Sequence, residues 1–147
     1  MKILARQQTI DFYNCNIKRI NDVEEIKEIL LTTVGIELEL HSKFIGENHA
    51  SIIAAFKDGH IALHIYPELK YVAVDVFTCS EDIEPEILSK ALRKFFQPDK
   101  IKSTFLKRGD FGQERDIKPK IKTRVAPLKK IRSTGARVIK TLVSNND

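Results

Sequence analysis

Apolar and polar positions repeat with two different periods along residues 3–106. Val23, Ile26, Ile29 and Leu30 recur at helical spacing before Gly35, which predicts an amphipathic helix that ends at this glycine. Asp22 with Glu25 three residues later resembles a capping box, and Pro85 is placed to begin a second amphipathic helix that ends at residues 97–99. Elsewhere the pattern indicates strands. They are Ile3–Tyr13, Ile36–Leu40, Ser51–Phe56, His60–Ile65, Tyr71–Phe77 and Ile101–Leu106.

The order of these elements predicts the fold class. It is β-α-β-β-β-β-α-β, and Asp58-Gly59 between two apolar runs is a strong hairpin signal. Hairpins therefore dominate over crossover connections. We expect an α+β two-layer sandwich in which two helices cover one face of an antiparallel sheet.

Composition narrows the class of protein. The 147 residues are 42% hydrophobic and 31% charged, which is typical of one ordinary globular domain. No apolar run approaches the roughly 20 residues needed to span a bilayer, and the N-terminus lacks a signal-peptide core, so we expect a cytoplasmic protein without a membrane contact. Two cysteines, Cys15 and Cys79, make no disulfide framework, and no Cys/His spacing predicts a metal site.

Charge is distributed unevenly along the chain. Residues 1–114 hold 15 Lys/Arg and 18 Asp/Glu, a net of −3, whereas residues 115–147 hold 10 Lys/Arg and 2 Asp, a net of +8. We therefore predict a domain over 1–114 and a basic C-terminal extension over 115–147. The extension is either a solvated tail or a docking arm for an acidic partner or nucleic acid. It has no aromatic residue, and so offers no surface for stacking bases.

Residues 58–79 carry the most specific pattern. Residues 58–68 read DGHIALHIYPE and residues 71–79 read YVAVDVFTC. This stretch resembles the core of prokaryotic S-adenosylmethionine decarboxylases, which have Glu-Ser-His-x-x-x-His-x-x-Pro-Glu followed by Tyr-Ala-x-x-Asp-x-[Phe/Tyr]-Thr-Cys. The spacing from the serine position to the cysteine matches without a gap. The resemblance covers roughly residues 3–110 and implies a two-layer α/β sandwich that is dimeric.

The resemblance also implies what chemistry to expect. In that family the serine attacks its own preceding carbonyl, the ester β-eliminates, and the serine becomes an N-terminal pyruvoyl group. This carbonyl forms a Schiff base with the substrate and acts as an electron sink. Here Gly59 stands at the serine position, with Asp58 before it. Glycine has no hydroxyl, so we predict that the pyruvoyl cofactor is absent. The nearest hydroxyls, Ser51 and Ser80, occupy other structural positions.

The resemblance assigns roles to the remaining candidate residues. His64 matches the processing histidine, Cys79 the catalytic proton donor, and Ser51 a serine that assists self-processing. Phe44, Tyr66 and Glu68 fall where the family places groups around the adenosyl portion of the substrate. Without the resemblance, a strand histidine and a cysteine at a strand end are ordinary structural residues.

Four functional hypotheses remain open from the sequence. The first is a non-catalytic relative linked to spermidine metabolism, acting as a homodimer or as a heterodimer with an active paralogue. The second is a binding protein for S-adenosylmethionine or a polyamine. The third is an active decarboxylase that uses an unrecognised route. The fourth is a protein whose basic extension binds nucleic acid or an acidic partner.

Overall fold

The computed structural model describes residues 4–110, which contain six strands and three helices. In chain order they are β1 (Ala5–Tyr13), α1 (Ile17–Ile20), α2 (Val23–Val34), β2 (Glu39–Phe44), β3 (Ala50–Phe56), β4 (Gly59–Tyr66), β5 (Tyr71–Thr78), α3 (Pro85–Phe96) and β6 (Lys100–Arg108). The boundary predicted between residues 114 and 115, the basic extension and the start of the first strand at Ile3 lie outside the described residues.

All six strands form one antiparallel sheet in the order β2-β3-β4-β5-β1-β6. Four consecutive strands are joined as hairpins, as the sequence predicts. Strand β1 lies between β5 and β6, where Ile10 pairs with Val74 on one side and Ser103 on the other. The predicted α+β sandwich is confirmed.

The helices cover one face of the sheet because strand residues alternate between two environments. Ile61, Leu63 and Ile65 of β4 are fully buried on the helix side. Phe12 of β1 meets Phe96 of α3 there, with ring centroids 5.7 Å apart. The opposite side of the sheet, which we call the open face, has no helix against it in the described part of the chain. It carries the alternate side chains of each strand, including Asp11, Ser51, His60, His64, Tyr66, Tyr71 and Asp75.

The predicted helix ends are confirmed. The Asp22 side chain accepts a hydrogen bond from the Glu25 backbone N–H at 3.0 Å, and Gly35 closes α2 with a φ of 68°. This left-handed conformation favours glycine. Pro85 occupies the first turn of α3, and that helix ends at Gln97. Capping preferences depend on neighbouring residues, which is why the sequence locates them well.

One expectation needs correction, and one helix was not predicted. The strand predicted over Ile36–Leu40 is instead β2, over Glu39–Phe44. Its limits are set by β3, because Glu39 pairs with Ala55 and residues before Leu38 would extend past the end of β3. The sequence also gave no signal for α1, a four-residue helix capped by the Asn16 side chain. No helix in residues 4–110 is both long and apolar enough to cross a membrane.

Candidate functional site

The candidate site residues occupy opposite ends of strand β4. Gly59 is its first residue, His64 its sixth and Tyr66 its last. Since a strand rises about 3.3–3.4 Å per residue, the Cα atoms of Gly59 and His64 are about 17 Å apart. We call Asp58, Gly59 and Cys79 the hairpin end, and His49, Ser51, His64 and Tyr66 the histidine end.

The hairpin end is organised by backbone pairing. Gly59 lies opposite Phe56 on β3 and Thr78 on β5. The Cys79 backbone N–H donates to the Asp58 carbonyl at 2.8 Å, which places the cysteine beside the Asp58–Gly59 peptide bond. Cys79 is exposed. The structure thus brings together three of the residues that the resemblance singles out.

Gly59 has no free space for a side chain. A Cβ built on its backbone would overlap the Phe77 carbonyl oxygen and lie 2.7 and 2.8 Å from two ring carbons of Phe56. Carbon atoms in proteins do not approach this closely, and the obstructing oxygen belongs to the backbone of a central strand. In this conformation, position 59 therefore accepts only glycine.

The histidine end is organised by side chains on the open face. Ser51 on β3 lies directly opposite His64 on β4, and its hydroxyl oxygen is 3.4 Å from His64 Nδ1. His49 Nε2 is 3.3 Å from the same nitrogen. The His49 ring also stacks on Tyr66, with centroids 4.4 Å apart and planes inclined by 10°. Three polar atoms therefore converge beside an aromatic stack.

The aromatic row continues across the sheet beyond Tyr66. Tyr71 lies 5.9 Å from Tyr66 and 5.4 Å from Tyr13, measured between ring centroids. The Tyr71 hydroxyl donates to Asp11 Oδ1 at 2.5 Å. This bond raises the pKa of Tyr71 above its ordinary value because the carboxylate stabilises the protonated phenol, and burial adds to the effect.

The residues predicted to surround a ligand all lie toward the histidine end, but they do not share one surface. Phe44 pairs with Ala50, which is buried on the helix side, and directly opposed residues share a face. Phe44 is itself 68% exposed at the sheet edge. Tyr66 lies on the open face, and Glu68 is exposed in the turn between β4 and β5.

The two cysteines have contrasting environments. Cys15 is buried and its thiol donates to the Phe12 carbonyl oxygen at 3.7 Å. Burial raises the pKa of Cys15 to about 11, because an apolar environment disfavours the thiolate. Cys79 is the solvent-accessible thiol.

The described residues also border two cavities, of which the first adjoins the hairpin end through Phe56 and Lys57. One of about 530 Å³ is bordered by residues 37–39 and 55–57, and one of about 320 Å³ lies between α2 and α3. No candidate site residue lines either of them. Among residues 4–110, no cluster of three or more His, Cys, Asp or Glu side chains is arranged to hold a metal ion.

Sequence reasoning missed His49 and the Tyr71–Asp11 pair. His49 precedes Ser51 by two residues, a spacing that puts both on the same face of an extended chain. This two-residue spacing is the sequence signal that could have identified His49 as a neighbour of Ser51. Tyr71 and Asp11 are 60 residues apart, and only the pairing of β1 with β5 brings them together.

Comparison with known proteins places these features in context. The family model described as S-adenosylmethionine decarboxylase matches residues 6–109. The chain is 35% identical over 112 residues to the S-adenosylmethionine decarboxylase proenzyme of Thermomicrobium roseum, covering 74% of this chain and 97% of that protein. It is 30% identical over 114 residues to the proenzyme of Moorella thermoacetica, covering 74% and 90%.

Solved structures support the same architecture. The adenosylmethionine decarboxylase of Aquifex aeolicus superposes with a TM-score of 0.61 at 24% identity, covering 74% of this chain and 93% of that one. The Trypanosoma brucei AdoMetDC-delta26 monomer superposes with a TM-score of 0.54 at 17% identity, covering 67% and 44%. At these identities the similarity establishes the shared fold.

Proposed function

The chain belongs to the S-adenosylmethionine decarboxylase family, and from this premise we propose that it is a non-catalytic member linked to spermidine metabolism. The observation that carries the proposal is Gly59. It stands where the resemblance places the self-processing serine, and the space for its Cβ is already filled.

The missing hydroxyl cannot be supplied by a neighbour. Self-processing requires an oxygen on the residue whose own preceding carbonyl is attacked, and glycine offers none. Ser51 lies at the histidine end, opposite His64. Ser80 is closer to the hairpin, but its hydroxyl accepts a hydrogen bond from the Asp82 backbone N–H at 3.2 Å. Cleavage at either serine would place a carbonyl group elsewhere in the fold.

The positions of the remaining site residues favour a role as a partner subunit. His64, with Ser51 opposite it on β3, lies about 17 Å along β4 from Gly59, too far for both ends to act on one substrate atom within one chain. A second copy packed on the open face in the opposite orientation would bring one chain's histidine end to the other's hairpin end. This chain would then supply His64 and Ser51 to a paralogue that retains the serine.

The first experiment measures the intact mass of the purified chain under denaturing conditions. We expect one species near 16.8 kDa and no release of carbon dioxide from carboxyl-labelled S-adenosylmethionine. Two fragments that part between Asp58 and Gly59 would overturn the chemical reasoning. An uncleaved chain that still decarboxylates the substrate would show that an unrecognised route exists.

The partner role is tested by mixing the chain with a family enzyme that retains the serine. We expect a mixed oligomer and a change in the enzyme's activity. His64→Ala in this chain should abolish the change while the oligomer persists, whereas Cys79→Ser should leave it intact, since the partner supplies its own cysteine. An unchanged oligomer size together with unchanged activity rejects the partner role.

A second candidate function is ligand binding without catalysis. It is favoured by the aromatic surface that Tyr66 and His49 form on the open face. Thermal unfolding with S-adenosylmethionine, putrescine or spermidine tests it, because a ligand that binds the native state raises the midpoint. No shift at millimolar ligand rejects it.

Binding of nucleic acid by residues 115–147 is tested separately, by deleting them and measuring affinity for DNA and RNA.

A further inference from the structure

Three polar atoms converge at the histidine end, with His64 Nδ1 at their centre. His64 Nδ1 is 3.3 Å from His49 Nε2 and 3.4 Å from Ser51 Oγ. Both contacts are at the long end of hydrogen-bond distances, and which atom donates depends on the tautomer of each ring. Two imidazole nitrogens that face each other also need a proton between them to attract. A metal cation can instead accept a lone pair from each nitrogen, and no bridging proton is then needed.

The nitrogen separation is the one that a tetrahedral metal ion requires. Two imidazole nitrogens, each about 2.0–2.1 Å from a zinc ion at a tetrahedral angle, are about 3.3–3.4 Å apart. The structure has 3.3 Å between His49 Nε2 and His64 Nδ1. Ser51 lies beside them, where its hydroxyl can bond to a water on the metal.

The two rings are held in place by their surroundings. His64 is fixed within the central strand β4, with Ser51 opposite on β3. His49 lies just before β3, and its ring is stacked on Tyr66. Such support from neighbouring groups orients metal-binding histidines and lowers the cost of ordering them. Both histidines are only partly buried, so an ion in solution can reach them.

We propose that His49 and His64 form a binding site for a divalent transition metal ion of the class that prefers imidazole, with Zn²⁺ as the representative. Two protein nitrogens leave the other coordination positions to water or to an incoming ligand. The proposal shares His64 with the proposed partner role but does not depend on that role, because metal binding to this chain alone is a separate measurement. Its confirmation would revise the expectation, made from sequence spacing, that no metal site exists.

The test is a calorimetric titration of Zn²⁺ into the full chain, repeated on four variants. The chain has four histidines, so His41 and His60 provide matched controls on the same sheet. We expect saturable binding that His49→Gln and His64→Gln each weaken by more than roughly tenfold. Removing a metal ligand should weaken binding at least as much as removing a neighbouring residue that only orients the ligand. His41→Gln and His60→Gln should leave the affinity unchanged.

A second measurement identifies the ligands directly. Cu²⁺ bound to the full chain should give an electron paramagnetic resonance spectrum with coupling to two imidazole nitrogens, reduced to one in either variant. Cys79→Ser should retain binding, because that thiol lies at the hairpin end. Absence of saturable Zn²⁺ binding overturns the proposal, as does affinity that survives in both His49→Gln and His64→Gln. If circular dichroism shows that His49→Gln or His64→Gln is unfolded, the Zn²⁺ affinity of the other variant decides the test.

Discussion

The hairpin end and the histidine end share strand β4 but differ in what fills the space around them. At the hairpin end, the backbone of β5 and the ring of Phe56 occupy the place of a side chain on Gly59. At the histidine end, His49 Nε2 and Ser51 Oγ both lie within 3.4 Å of His64 Nδ1. The hairpin end has neither a hydroxyl nor room for a side chain at position 59, whereas the histidine end has two imidazole rings and a hydroxyl on the sheet surface.

The largest contrast should be seen in thiol reactivity, since each end has a cysteine nearby. The Cys15 N–H donates to the Lys70 carbonyl in the β4–β5 turn, and burial raises the pKa of Cys15 to about 11. The exposed Cys79 should react with a thiol reagent more than roughly 100-fold faster at pH 8, because the thiolate is the nucleophile. Peptide mass analysis after timed labelling measures both rates. Equal rates would contradict the burial of Cys15.

Filling position 59 should destabilise the fold strongly. Gly59→Ala and Gly59→Ser share the same Cβ, so each should lower the free energy of unfolding by about 2–3 kcal/mol. Denaturant unfolding measures the loss. Gly35→Ala is the control, because its Cβ meets nothing within 4 Å and only its positive φ is strained, which should cost about 1 kcal/mol. A Gly59→Ser protein as stable as the parent would show that the hairpin end has room for a side chain.

Removing the Tyr71 hydroxyl should have a moderate and pH-dependent effect. Tyr71→Phe removes the bond to Asp11 and should cost about 1–2 kcal/mol at pH 7. The pKa of Tyr71 is higher in the folded state than in the unfolded state. The stabilisation from this bond is therefore fully present below the unfolded pKa of about 10, and it is lost as the pH rises through the higher folded pKa. Unfolding measured from pH 8 to 11 should show the two proteins converging at the alkaline end. A constant difference would contradict the assigned bond.

The smallest effect is expected from Ser51→Ala. The contact from Ser51 to His64 is 3.4 Å long and only partly buried, so its loss should cost less than about 0.5 kcal/mol. Denaturant unfolding is again the measurement. The control is the reverse substitution, Ala55→Ser, on the same face of β3. A loss as large as that of Gly59→Ala would mean that the histidine end is structural and not poised for binding.

The local features were predictable because they depend on neighbours in the chain. Asp22 caps α2 through an atom three residues away, and Gly35 ends the same helix through its own backbone conformation. The β3–β4 hairpin is found where the Asp58-Gly59 pair predicts it, but its turn residues are Lys57 and Asp58, and Gly59 already pairs with Phe56 as the first residue of β4. The strand predicted over Ile36–Leu40 was misplaced because its limits depend on where β3 ends, which alternation does not reveal.

The candidate site also separates into features that the sequence predicts and features that only the tertiary structure shows. The sequence by itself determined the fold class and the absence of a hydroxyl at position 59, since both follow from residue identity and spacing. Only the tertiary structure decided that Gly59 lacks room for a Cβ, that His64 lies far from Cys79, and that His49 meets His64. These facts depend on the register between strands and on twisted sheet geometry, through which residues 15 or more positions apart become neighbours.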